Sequence, residues 1–188
     1  MKIVAIGDSI TEGYPFSHQK SWVEYVAKAF RVQVLNQGIS GDFTGGMRER
    51  FLRDVIAHAA THVIILGGAN DAYEEYPLIT VSANFIAMVE ICGQHGITPI
   101  LGLPTPSLLP KEEQFLAEYR DWLKSYADER RIECIDFYTP FLNRIRAGQS
   151  ARLFVDDVHP SIEGYAEMGE VAVRSLITMK NLNFKKQS

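Results

Sequence analysis

The chain has 188 residues, 46% of them hydrophobic and 22% charged, which fits one soluble globular domain with a sizeable core. Nineteen basic side chains against twenty-three acidic ones give a net charge of −4, and the one basic group, Lys180, Lys185 and Lys186, lies in a polar tail at about 180–188, so no nucleic-acid partner is expected. No apolar stretch is long enough to span a bilayer, and the amino terminus reads as a first strand, not a signal peptide; the expectation is a cytoplasmic protein with no membrane insertion.

The first element is the apolar run Ile3 to Ile6, a strand buried on both faces as in a parallel sheet. It stops at Gly7-Asp8-Ser9-Ile10-Thr11. Trp22, Val26 and Phe30 then recur at helical spacing, followed by a strand from Val32 to Leu35. Phe51, Val55 and Ala59 predict a second helix, and His62 to Leu66 a third strand. Phe85, Val89 and Cys92 mark the next helix, Ile97 to Leu103 the next strand. Pro104 to Pro110 reads as a loop on the ligand-binding edge, ahead of a helix carrying Phe115, Tyr119 and Trp122. A fifth strand, Ile132 to Phe137, precedes a last helix on which Tyr165, Met168, Ala172 and Leu176 share a face, with Ser161 as its cap. Such alternation predicts an α/β fold in one domain spanning residues 1–188, a five-stranded parallel sheet between two helical layers. Cys92 and Cys134 are expected to be free buried thiols, and with no CxxC or HExxH spacing neither a metal nor a cofactor is expected.

In an open parallel sheet, ligands bind beyond the carboxyl ends of the strands. Four polar or glycine-bearing segments fall on that edge: Gly7 to Thr11, Asn36 to Asp42, Gly67 to Asp71, and Asp156 to Pro160. Together they supply what acyl transfer requires. Ser9 is a nucleophile once a base takes its proton, and His159 is the best placed of the five histidines. Asp156, three residues earlier, can turn back to hold one imidazole N–H; Asp157 is its rival. The backbone N–H groups of Ser9 and Gly41 and the side-chain amide of Asn70 form a plausible oxyanion hole. Tyr14, Phe16, Tyr73 and Leu108 follow these segments and are candidates for lining an apolar substrate pocket.

Two other architectures fit less well. A nucleotide- or flavin-binding module of flavodoxin-like topology would put Asp8 and Glu12 beside the phosphate, and no GxGxxG or GxxxxGK[ST] pattern occurs. An α/β-hydrolase would need a GxSxG elbow, also missing.

Taken in order, the four segments resemble the signatures of the SGNH (or GDSL) serine hydrolases, with isoleucine where many members have leucine after the serine. The resemblance implies a three-layer α/β/α sandwich of flavodoxin-like topology, with Ser9 as nucleophile, His159 as base, Asp156 as orienting acid, and Gly41 and Asn70 helping Ser9 in the oxyanion hole. It implies a carboxylic ester hydrolase acting on a small-molecule ester, thioesters and lysophospholipids included, through an acyl-serine intermediate. The alternative within the family is a carbohydrate O-acetylesterase. Oligomeric state leaves no signature in the sequence.

Overall fold

A computed structural model describes residues 1–30 and 32–179. The tail expected from about residue 180 lies outside them. Five strands, β1 (Lys2–Gly7), β2 (Gln33–Gly38), β3 (His62–Leu66), β4 (Thr98–Leu103) and β5 (Glu133–Asp136), form one sheet in the order β2-β1-β3-β4-β5, with every neighbouring pair parallel. This is the expected flavodoxin-like order.

Alternation along β1 explains the three layers. Ile3 and Ala5 point to one face, with Ile64, Leu66, Ile100 and Ile135 beside them. Helices α2 (Trp22–Phe30), α8 (Tyr138–Arg146) and α10 (Ile162–Thr178) cover that face with Trp22, Phe141, Tyr165 and Met168. Val4 and Ile6 point the other way, joined by Val63, Ile65 and Leu101. There α3 (Thr44–Glu49), α4 (Phe51–Asp54), α6 (Leu78–His95) and α7 (Pro110–Arg130) supply Met47, Phe51, Phe85 and Tyr119. Each fully buried large apolar side chain stabilises by about 1.5–3 kcal/mol, so both faces hold the sheet. The Ser161 hydroxyl caps α10, accepting from the Gly164 N–H at 3.0 Å.

Two elements differ from the sequence reading. The helix expected through Phe51, Val55 and Ala59 is instead the short α4 and a 3-10 turn at Ile56–His58, broken at Val55, and Ala59 ends it in the left-handed region at φ 51°. Arg50 is buried at the junction of α3 and α4, where its guanidinium donates to Asp42 (2.7 Å), Asp54 (3.0 Å) and the Gly7 carbonyl (2.9 Å). Strand β2 also continues to Gly38, through residues expected to be loop, pairing Asn36, Gln37 and Gly38 with Ala5, Ile6 and Gly7. The Asn36 amide donates to the Thr11 carbonyl at 2.8 Å, and a Cβ on Gly38 would stand 2.1 Å from the Glu12 backbone nitrogen. The polar strand end is thus used to seat the turn after β1.

Connections from β1 and β3 leave in opposite directions along the sheet and pack on opposite faces. That opens a crevice between their carboxyl ends, the topological switch point where open sheets bind ligands. Ser9 follows β1; Asn70 follows β3.

Candidate active site

Beyond β1 the chain turns at once into the short helix α1 (Ser9–Glu12), capped by Asp8, whose carboxyl accepts the Ile10 N–H at 2.9 Å. A Cβ on Gly7 would lie 2.2 Å from the Thr11 hydroxyl and 2.3 Å from the Leu66 carbonyl, so the tight turn requires glycine there. Ser9 stands at the first helical position, where its N–H has no intrahelical acceptor.

His159 arrives from the far end of the chain. After α9 (Ser150–Leu153), an antiparallel bridge of Phe154 to Pro160 closes a tight loop ahead of α10. Within it, Asp156 Oδ1 accepts the backbone N–H groups of Val158 (2.8 Å) and His159 (2.6 Å). Its Oδ2 lies 2.8 Å from His159 Nδ1, and His159 Nε2 lies 3.0 Å from Ser9 Oγ. Burial raises the Asp156 carboxyl, but those backbone N–H groups and the imidazole outweigh it and hold it below the ordinary range. Asp156 is therefore an anion whose one oxygen fixes the loop and whose other oxygen orients the ring. Asp157 instead gives its carbonyl to the Leu108 N–H at 2.8 Å. The Tyr14 ring meets the imidazole edge-on at 4.7 Å.

Asn70 lies in α5 (Ala69–Tyr73), entered through Gly68 at φ 107°. Its side-chain nitrogen donates to the Asp42 carbonyl at 2.8 Å, which commits one amide hydrogen and leaves the second. Arg50 holds the Asp42 carboxylate in turn, so this buried arginine and Asn70 share one support. Next door, Asp71 is pinned by the Thr44 N–H (2.9 Å) and hydroxyl (2.6 Å). Gly41 is exposed at the β2–α3 loop with φ 79°, outside the residues that line the cleft.

The cleft has a volume of about 340 Å³ and joins Ser9, Asn70, Tyr73, Leu109, Asp156 and His159. Of the four expected substrate residues, Tyr73 lines it and Tyr14 flanks the imidazole. Phe16 packs on Tyr165 at 6.3 Å, and Leu109, not its neighbour Leu108, faces the cleft. The remaining histidines stand elsewhere: His18 in a 3-10 turn, His58 and His62 beside the amino end of β3, and His95 at the end of α6.

The sequence reading missed Glu112. It sits in the first turn of α7, 4% exposed, on the cleft wall. Burial, together with the charges of Glu113, Asp156 and Asp157, pushes its carboxyl up to about 7 against the Ser107 hydrogen bond. Asp8 behaves alike: burial pushes it up to about 7 against the Ile10 hydrogen bond, and the Asp71 and Asp42 charges push the same way. A native state that holds this proton more tightly than the unfolded chain loses stability as pH rises from the carboxylate range through about 7. Asp8→Asn keeps an oxygen for the Ile10 N–H and does not titrate. Relative to this variant, the wild type is expected to lose on the order of 3 kcal/mol between pH 4 and pH 8, by denaturant titration at both pH values. Parallel stability curves would refute the assignment.

A parallel α/β/α sandwich that brings a serine, a histidine and an aspartate into hydrogen-bonding reach at its switch point has the parts of a serine hydrolase. The chain belongs to the GDSL-like lipase/acylhydrolase family, whose sequence profile matches residues 5–167. It is 24% identical over 182 residues to an arylesterase of Vibrio mimicus, covering 94% of this chain and 88% of the relative. It is 25% identical over 204 residues to an acetylxylan esterase of Geobacillus stearothermophilus, covering 93% of each. The crystal structure of a member of the lipolytic protein G-D-S-L family from Veillonella parvula superposes with a TM-score of 0.87 at 28% identity, over 95% of this chain and 100% of that one. Among the described residues no helix is long and apolar enough to cross a membrane.

Proposed function

We propose that the chain, as one catalytic domain, hydrolyses small carboxylic esters through an acyl-Ser9 intermediate. The observation that carries this reading is the continuous relay Ser9–His159–Asp156, at 3.0 and 2.8 Å, built from residues 150 positions apart in sequence. His159 Nε2 takes the Ser9 proton as Oγ attacks the ester carbonyl. Asp156 keeps the other imidazole N–H toward itself and stabilises the imidazolium that forms. The oxyanion is met by the Ser9 N–H and the uncommitted Asn70 amide hydrogen, while Gly41, outside the cleft lining, would join them as third donor only if its loop moved inward. The imidazolium then protonates the departing alcohol, and water, activated by the same histidine, releases the acid. A cleft at the lower end of the usual ligand-pocket range suits a short acyl group on a modest alcohol, in keeping with the acetyl ester in the name of the Geobacillus relative. Two unpaired thiols, Cys92 and Cys134, accord with a reducing cytoplasm.

A reaction with p-nitrophenyl acetate, quenched in acid and digested, is expected to leave an acetyl group on the peptide bearing Ser9. An acetyl group trapped on a different residue overturns the mechanism. Asn70→Ala is expected to lower kcat roughly a hundred- to a thousandfold. A loss under about fivefold in steady-state kinetics would remove Asn70 from the oxyanion hole.

A further inference from the structure

Glu112 is an acid on the wall of the catalytic cleft that the relay does not use. Its residue surface is 4% exposed, and the Ser107 hydroxyl hydrogen-bonds its carboxyl, yet Oε2 has no partner among the described residues. A buried carboxyl oxygen left unpaired is expensive, and proteins keep few of them. Glu113, the neighbouring acid, is by contrast fully engaged: it accepts the Ser107 N–H at 3.0 Å and pairs with the buried Arg120. The open valence therefore belongs to Glu112 alone of the two; Oε2 lies just beneath the cleft wall that Glu112 lines, and a substrate group reaches it by a small shift of that wall.

The surroundings decide what can fill it. Asp156 and Asp157 share this cleft, and none of the described residues lining it is a lysine or arginine. A phosphate or carboxylate on the substrate would meet three acids and no counter-charge. A hydroxyl suffers no such repulsion. It donates to Glu112 when the acid is ionised and accepts from it when the acid is protonated, so it satisfies Oε2 in either state. That versatility matters because burial and the carboxylates of Glu113, Asp156 and Asp157 bring this acid to about 7. Tyr73, 66% exposed on the same cleft, adds a flat aromatic face of the kind on which a sugar ring stacks.

We propose that Glu112 is a specificity-determining residue that hydrogen-bonds a hydroxyl of the alcohol half of the substrate, selecting neutral, hydroxyl-rich esters such as acetylated sugars. The proposal rests on Ser9 as the nucleophile of this cleft and goes beyond it by assigning the leaving-group side.

The test compares kcat/KM for a mono-O-acetylated methyl glycoside with that for p-nitrophenyl acetate, whose leaving group offers no aliphatic hydroxyl. In Glu112→Leu, which keeps the side chain's bulk without its oxygens, the glycoside-to-nitrophenyl ratio is expected to fall about ten- to a hundredfold, chiefly through KM for the glycoside. Glu112→Gln retains a donor and an acceptor and is expected to recover much of that ratio. Should the leucine variant fail to fold, the glutamine variant is compared with Glu112→Ala by the same ratio. A ratio unchanged in the apolar variants overturns the proposal. So does a wild-type enzyme that cleaves the nitrophenyl ester but ignores the glycoside, an outcome that leaves the Ser9 mechanism standing. Esterase activity surviving in Ser9→Ala would instead strike the underlying mechanism.

Discussion

Replacing Ser9 with alanine is expected to lower kcat on p-nitrophenyl acetate by about four to six orders of magnitude, with the protein still folded. The size of the loss follows from the proposed role of Ser9 Oγ as the attacking atom. No other hydroxyl lies within hydrogen-bonding distance of His159 Nε2 among the described residues, so nothing inherits the proton transfer. The fold should tolerate the change. Ser9 opens α1, its cap is supplied by Asp8, and its hydroxyl serves His159 and no backbone group. Alanine is a good helix former at such a position. Steady-state rates together with a thermal melt check both halves: activity within about a hundredfold of wild type would show that another group carries the attack.

The second large effect is expected at Asp156. Asp156→Asn should lower kcat by roughly three to four orders of magnitude, and the structure says why an isosteric change is so damaging. Oδ1 accepts two backbone N–H groups, from Val158 and His159. In the amide, that position can be held only by the remaining oxygen. The new NH₂ must then face His159 Nδ1, where it can only donate. The imidazole responds by placing its proton on Nε2, and the ring presents a donor to Ser9 where an acceptor is needed. Raising the pH does not cure a reversed tautomer, so the deficit should persist across the alkaline range of a pH–rate profile. A variant that regains wild-type rates there would mean that Asp156 acts by charge alone.

Much of this architecture can be read from the chain because its signals are local. Ile3 to Ile6 is a two-sided apolar run, and the turn that follows it forms where a glycine permits the close approach of Thr11 and Leu66. Asp156 and His159 sit three residues apart, so one tight turn is enough to join them. The features that escape the sequence depend on distant partners. Glu112 and Glu113 are adjacent identical letters at a helix start; only the packing of α7 decides that one lines the cleft and the other binds Arg120. Arg50 reads as an ordinary surface residue, and its burial against Asp42, Asp54 and Gly7 at the junction of α3 and α4 depends on partners that local spacing does not reveal. Phe16 follows Ser9 closely, yet it is drawn away by Tyr165, an aromatic ring 149 positions later.

The last helix locks onto one of the first: a Cβ on Gly169 of α10 would stand 2.4 Å from the Tyr25 ring of α2, and the Tyr165 hydroxyl donates to the Tyr14 carbonyl at 2.7 Å. The loop bearing Asp156 and His159 leads directly into that helix. During vectorial synthesis Ser9 emerges almost at once, while His159 follows 150 residues later, just ahead of α10. Under the proposed mechanism, a nascent or prematurely terminated chain would carry Ser9 without His159 beside it, and hydrolysis would begin only once these distant segments have met.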